Sequence, residues 1–348
     1  MTQVAFAIPG DITLPTGGYA YDRRVLALLP ALGIEARRVA LPGSYPQPTA
    51  SDLSETLRVL AGQSLDSVLL IDGLAYGAMP HGLLSGIGQP IVALVHHPLC
   101  LEAGLSQQRQ AELRSLETAA LALAQHVIVT SAVTAKTLTA NFAVPMAKIT
   151  VAEPGTDAAP RATGTGEPLQ LLAVGSVVPR KAFDILVRAL IPYADLKWRL
   201  TIVGATDRSA EALATLKTTI AESGLQDRIN LTGPADEARL NCHYASADIF
   251  VMPSLYEGYG MVLAEAMARG LPIVCTTGGA AADTSPDAAA VKVSPGDVEA
   301  LSAAIGRLLR DPALRAGMSD ASWAAGQRLP RWEQTARTIA DVVRRVAA

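Results

Sequence analysis

The sequence predicts an α/β protein made of two doubly wound parallel sheets, and three observations carry that reading. Short apolar runs alternate with helix-patterned stretches along the chain, as in repeated βαβ units. The alternation breaks once, at Ala158 to Pro168 (AAPRATGTGEP), a polar Gly/Pro/Thr stretch that reads as a domain boundary, and then restarts. At 348 residues, half of them hydrophobic, the chain is long enough for two cores.

In the first half, Val4 to Ile8 reads as a strand stopped by Pro9-Gly10. Gly17-Gly18 then leads into a helix from about Tyr19 to Leu32, closed by Gly33. A glycine pair before a helix lets backbone approach a phosphate, although the same pair also makes a plain turn. Asp66 to Ile71 and Pro90 to Val95 are the next buried strands, the second ending in His96-His97-Pro98. A histidine at that strand end stands where open α/β sheets bind ligands; a structural histidine is the other reading. Ser106 to Ala124 is a long helix, and His126 to Thr130 is a strand. Ser131 caps a helix from Ala132, and Ile149 to Val151 leads to Glu153-Pro154-Gly155-Thr156-Asp157.

In the second half the strands are Leu169 to Val174, Trp198 to Val203, Arg228 to Leu231, Asp248 to Met252 and Ile273 to Thr276. Arg180 and Lys181 fall at a helix start, where positive charge opposes the macrodipole unless an anion is bound. An exposed basic pair is the alternative. After Gly326 come Arg331-Trp332-Glu333 and an amphipathic terminal helix.

Composition narrows the function classes. Net charge is −3 with no lysine/arginine block, which argues against a nucleic-acid partner. Three widely spaced cysteines suit a reducing cytosol better than disulfides or a zinc site. The N-terminus lacks a basic leader region, and no apolar run approaches 18 residues, so a cytoplasmic protein is expected. Arg23, Arg24, Arg37 and Arg38 flank an apolar segment and leave peripheral contact with the inner membrane face open, but they read more simply as solvated helix ends.

The most informative stretch is Asp248 to Gly270, DIFVMPSLYEGYGMVLAEAMARG. A buried strand, a turn of small residues from Ser254 to Gly260, and a helix from Met261 to Arg269 stopped by Gly270 together make an anion site. Glu257 and Glu265 bracket it with seven residues between them. Eight residues of helix span roughly 12 Å, more than the about 5–9.5 Å of a glycosidase acid–base pair. One ligand touched at two points fits better; the alternative is that Glu257 caps the helix and Glu265 is solvated.

SLYEGYGMVLAEAMARGLPIV resembles the E-x7-E signature of retaining glycosyltransferases of family 4, which have the two-domain GT-B fold, two Rossmann-like domains facing a central cleft. The resemblance implies that Glu257 meets the donor sugar and Glu265 the nucleotide ribose. It implies backbone donors from Gly258, Tyr259, Gly260, Met261 and Val262. Gly175 to Leu190 is similar to the family's diphosphate segment, with Lys181 matching its lysine. Ser176 stands where an arginine is usual, and Arg180 is expected to supply that cation; Ala182 stands where glycine is usual. His96 would face the reacting sugar, and Gly17 and Gly18 would lend backbone contacts. Gly233 and Pro234 either pack on the nucleobase or form an ordinary turn. Gly278-Gly279 resembles another loop near the diphosphate, but Ala281-Ala282 replaces the usual Pro-Glu.

The implied domains are 1–157, with a terminal helix 333–348 packed back on it, and 158–332. Trp332 at that helix start is equally a core anchor. The implied activity is retaining transfer of a hexose from a UDP- or GDP-sugar to a glycan, lipid-linked or small-molecule acceptor. Acceptor contacts are expected from loops such as Leu41 to Thr49. No metal or other cofactor is expected, since no Asp-x-Asp or histidine cluster is visible. An epimerase of the same fold and a non-catalytic nucleotide-sugar binder are the rival readings. A dinucleotide oxidoreductase lacks its G-x-G-x-x-G here.

Overall fold

The structure, a computed structural model, describes residues 2–348. The chain divides into two compact units, Met1–Gly155 with Pro330–Ala348, and Thr156–Leu329. The first unit holds β1 (Thr2–Pro9), β2 (Ile34–Leu41), β3 (Ser67–Asp72), β4 (Ile91–Val95), β5 (His126–Val129) and β6 (Ile149–Val151). They form one parallel sheet in the order β2-β1-β3-β4-β5-β6. The second unit holds β7 (Leu169–Val174), β8 (Trp198–Val203), β9 (Ile229–Gly233), β10 (Ile249–Met252), β11 (Ile273–Thr276) and β12 (Ala290–Val293). Their order is β12-β11-β10-β7-β8-β9, again all parallel. Both units are therefore Rossmann-like. Strand order reverses between β1 and β3 in one unit and between β7 and β10 in the other, and open α/β sheets bind ligands at such points.

Burial explains which strands are legible. β3 and β4 are buried at every position and read as unbroken apolar runs. β2 goes unrecognised because it is an edge strand that carries Glu35, Arg37 and Arg38 outward between buried Ile34, Val39 and Leu41. Charge on an exposed edge discourages pairing with other chains. Arg37 and Arg38 are thus strand residues and not solvated helix ends; Arg38 donates to the Gly10 carbonyl at 2.7 Å. Arg23 and Arg24 lie inside the helix Gly17–Leu28, where Arg23 donates to the Ile12 and Leu14 carbonyls and Arg24 lies over the Trp332 ring. That helix starts at Gly17, capped by Thr16, and stops at Leu28; a separate turn, Pro30–Leu32, fills the rest of the expected span. β12 was also not anticipated, being only four residues paired to β11 alone.

The terminal helix Trp332–Ala347 is part of the first unit. Trp332, Ala336, Ile339, Ala340 and Val343 are spaced to bury one face, which packs on β1, β3 and β5. Gly155 lets the chain leaving β6 pass beneath it: a Cβ there would sit 2.2 Å from the Trp332 nitrogen.

Ala182, at the entry to the helix Phe183–Leu190, is left-handed (φ 50°, ψ 41°) and 3% exposed. That conformation costs a residue with a Cβ about 1–2 kcal/mol. Glycine there regains it, less the entropy glycine loses on folding. Ala182→Gly is expected to stabilise the protein by about 0.5–1 kcal/mol in denaturant unfolding; a destabilised variant would show that the site holds no strain.

Candidate active site

The loops after β7, β10 and β11 meet at the reversal point of the second unit. β7 runs through Gly175 and Ser176 to a tight turn, Pro179–Lys181. β10 runs through Ser254 to Gly260 into the helix Met261–Ala268, entered at Gly260 with φ 91°. The two loops are tied by a hydrogen bond from the Leu255 N–H to the Arg180 carbonyl, 2.7 Å. The β11 loop pairs with the second: Glu257 N–H donates to Gly278 O at 3.1 Å, and Ala280 N–H to Glu257 O at 2.8 Å. Cβ atoms at Gly278 and Gly279 would each come within 2.2 Å of that loop's carbonyls. This glycine pair therefore has a packing reason, whatever ligand it meets. Ala281 begins a short helix, Ala281–Thr284.

Glu257 is the centre of this assembly. Its Oε1 accepts from Lys181 Nζ at 2.6 Å, and its Oε2 lies 3.2 Å from an Arg180 guanidinium nitrogen that also donates to Tyr256 O at 2.7 Å. Burial pushes the Glu257 carboxyl up, but the charges of Lys181 and then Arg180 outweigh it and hold the group down at about 2. Two of the alternative readings fail. Arg180 and Lys181 are not an exposed pair, with side chains 16% and 12% exposed, and the anion offsetting their position at the helix start is Glu257 itself. Glu257 does not cap the Met261 helix, whose N-cap, Gly260, has no side-chain bond.

Glu265, one turn into that helix, is not simply solvated either. The Tyr244 hydroxyl donates to its Oε2 at 2.8 Å, and burial raises its carboxyl against that bond and the Arg269 charge. Asp157 and Lys181 both influence it electrostatically, so Glu265 and Glu257 share Lys181 as a neighbour. Met261 and Val262, partly exposed, supply the first N–H groups of the helix. Tyr259 is buried, and its carbonyl accepts from Thr284. Gly175 has a local reason as well, since a Cβ would stand 3.0 Å from Lys181 Cε. Gly233 ends β9 with φ 71° and open space beside its Cα, and Pro234 follows it.

The first unit brings together three residues that stand far apart in the sequence. His96 follows β4, Asp72 ends β3, and Asp22 lies in the helix after β1. His96 Nε2 is 3.3 Å from Asp72 Oδ2 and 3.4 Å from Asp22 Oδ1. Asp22 is wholly buried, and Tyr21 meets the imidazole edge-on with centroids 5.3 Å apart. A Cβ on Gly18 would be 3.4 Å from His96 Cδ2, so Gly18 lets the helix start close on the ring. Gly17 is the helix's first residue. Burial alone would lower the His96 pKa, but both carboxylates together raise it; Asp22 is raised by burial and by the Asp72 charge. Among the described residues this is the one cluster dense enough in donors to consider for a cation, and the imidazole nitrogen already stands between the two acids. His97 instead pairs with Glu102 at 3.2 Å.

Asp72 was discoverable from the rule that points to His96, since it ends the neighbouring strand. Asp22 was discoverable from its place four residues after Gly18, on the same helix face.

Residues 168–311 match the family described as Glycosyl transferases group 1. The chain is 27% identical over 344 residues to the MMP alpha-(1->4)-mannosyltransferase of Mycolicibacterium hassiacum, covering 91% of this chain and 81% of the relative. It is 33% identical over 189 residues to the GDP-mannose-dependent alpha-(1-6)-phosphatidylinositol monomannoside mannosyltransferase of Mycolicibacterium smegmatis, covering 50% and 47%. Apart from the first, the chain spans about half the length of the curated relatives it matches. In fold it is similar to the sucrose-phosphate synthase of Thermosynechococcus elongatus, with TM-score 0.83, 23% identity and 99% of each chain covered.

The depressed Glu257 carboxyl sets a pH dependence. Its ion pairs stabilise the fold fully above the ordinary value of 4.5, and the contribution is lost as pH falls toward 2. Unfolding of the wild type and of Glu257→Gln is expected to differ by on the order of 3 kcal/mol at pH 7, with the gap closing between pH 4.5 and 2. A gap independent of pH would contradict the pairing.

Proposed function

We propose that the chain is a group 1 glycosyltransferase of the GT-B, family-4 kind, a retaining enzyme that transfers a hexose from a nucleoside diphosphate sugar; the match of residues 168–311, the mannosyltransferase relative and the shared fold support this. The observation that supports this most is the buried Arg180–Glu257–Lys181 set at the reversal point of the second sheet. Two fixed cations and one carboxylate leave one positive charge there, beside the N-terminus of the Met261 helix. An arriving diphosphate meets that charge and free amides together.

When the glycosidic bond breaks, negative charge grows on the leaving diphosphate. Lys181, Arg180 and the helix amides stabilise it where they already stand, which is commonly the largest catalytic contribution. On this reading the two side chains do what a divalent ion would otherwise do. Glu257 orients the sugar hydroxyls, Glu265 holds the ribose, and Gly233-Pro234 borders the base. In the first unit, His96 is the group assigned to the sugar. Retention follows if the acceptor reacts on the face the leaving group departs from, its proton passing to a donor phosphate oxygen.

The mannosyltransferase names of the two relatives make GDP-mannose the first donor to try, with UDP-sugars beside it. Acceptors of the glycan, lipid-linked or small-molecule class fit this reading, and a lipid-linked one would bring peripheral membrane contact. No helix among the described residues is long and apolar enough to cross a membrane.

Glu257→Ala and Lys181→Ala are each expected to lower kcat by about 10²-fold or more while circular dichroism stays native. The right nucleoside diphosphate at 100 times its Kd should stabilise the wild type by about 2.7 kcal/mol in thermal shift. Unchanged turnover in both variants would remove the assigned roles.

A further inference from the structure

The set around His96 carries a second step. Asp22 is wholly buried, and neither of its carboxylate oxygens has a hydrogen-bond partner apart from the 3.4 Å approach of His96 Nε2. Asp72 spends Oδ1 on the Leu74 N–H at 2.7 Å and turns Oδ2 to the same nitrogen at 3.3 Å. A buried acid without donors costs several kcal/mol, and His96 Nε2, 3.4 Å from Asp22 and 3.3 Å from Asp72, is placed to bring both acids a proton. Asp22 and Asp72 are the acids facing the ring, from the helix after β1 and from the end of β3. Tyr21, the third group against it, already donates its hydroxyl to the Ala152 carbonyl at 2.9 Å. From β5 the approach is neutral: Thr130 donates to the His96 carbonyl at 3.0 Å.

We propose that Asp22 and Asp72 are positioning residues that clamp His96 as an imidazolium, so that it meets the sugar as a hydrogen-bond donor and never as a base. The role at the sugar rests on the function proposed above; the clamp rests on the first unit alone. With Nε2–H held by the two acids, Nδ1–H is the donor left for a ligand oxygen. The acceptor's proton then has to leave by another group, since a histidine already carrying both protons cannot take it.

The test begins with 15N-histidine NMR of the wild-type protein, which has five histidines, assigned with His96→Gln. The expected result is a His96 ring with both nitrogens protonated at pH 8, unchanged by EDTA, that loses a proton at a lower pH in Asp22→Asn. A neutral His96 at pH 8 overturns the clamp. A signature that changes on chelation also overturns it, because a metal ion would then sit between the acids. If Asp22→Asn does not fold, the wild-type spectrum alone decides. For the second half, the alkaline limb of kcat/KM with donor and acceptor should move to lower pH in Asp22→Asn. A limb indifferent to that substitution, with the clamp seen by NMR, overturns the placement of His96 at the sugar and leaves the clamp standing.

Discussion

The second unit depends on a buried carboxylate held between two cations. Lys181 and Glu257 are 76 residues apart in sequence, and their contact is possible because β7 and β10 lie side by side where the sheet reverses. Removing Glu257 alone leaves two buried cations unbalanced, which is far costlier than losing an exposed ion pair. The glycines nearby follow from this constraint. Gly175 makes room for the Lys181 stem, and Gly278 and Gly279 let the third loop close on the Glu257 backbone. On the proposed function, the charges that tie these loops together are those a diphosphate would engage, so stability and binding draw on one set of side chains.

The first unit uses the inverse arrangement, one cationic ring between two acids, again with groups from adjacent strand ends. In each unit the charged set includes a group from either side of the sheet's reversal: Asp22 and Asp72 in one, Lys181 and Glu257 in the other. Chain topology accounts for the placing of both sets, since parallel strands deliver their following loops to one edge.

Much of this was legible in the sequence, for identifiable reasons. Strands buried on both faces announce themselves as SVLLI or IVALV, and Gly-rich turns mark where they stop. The edge strand Ile34–Leu41 did not, because its outward charges imitate a solvated helix. Glu257, Lys181 and His96 could be singled out from residue type and position, and Asp72 and Asp22 were within reach of the same rules, but the pairing of these groups was not. No local spacing relates Glu257 to Lys181, or Asp22 to Asp72 and His96. Ala182 shows a different limit: an ordinary residue by sequence, it takes a backbone conformation glycine would adopt more readily.

The chain quits the first unit at Gly155, builds the whole of the second, and only then supplies the helix Trp332–Ala347 that covers β1, β3 and β5. During synthesis, then, the first unit emerges with an apolar face still bare and is completed only after the second unit has been made. The second unit is an uninterrupted stretch and can condense on its own. Of the two units, the one entered earlier is closed after the other.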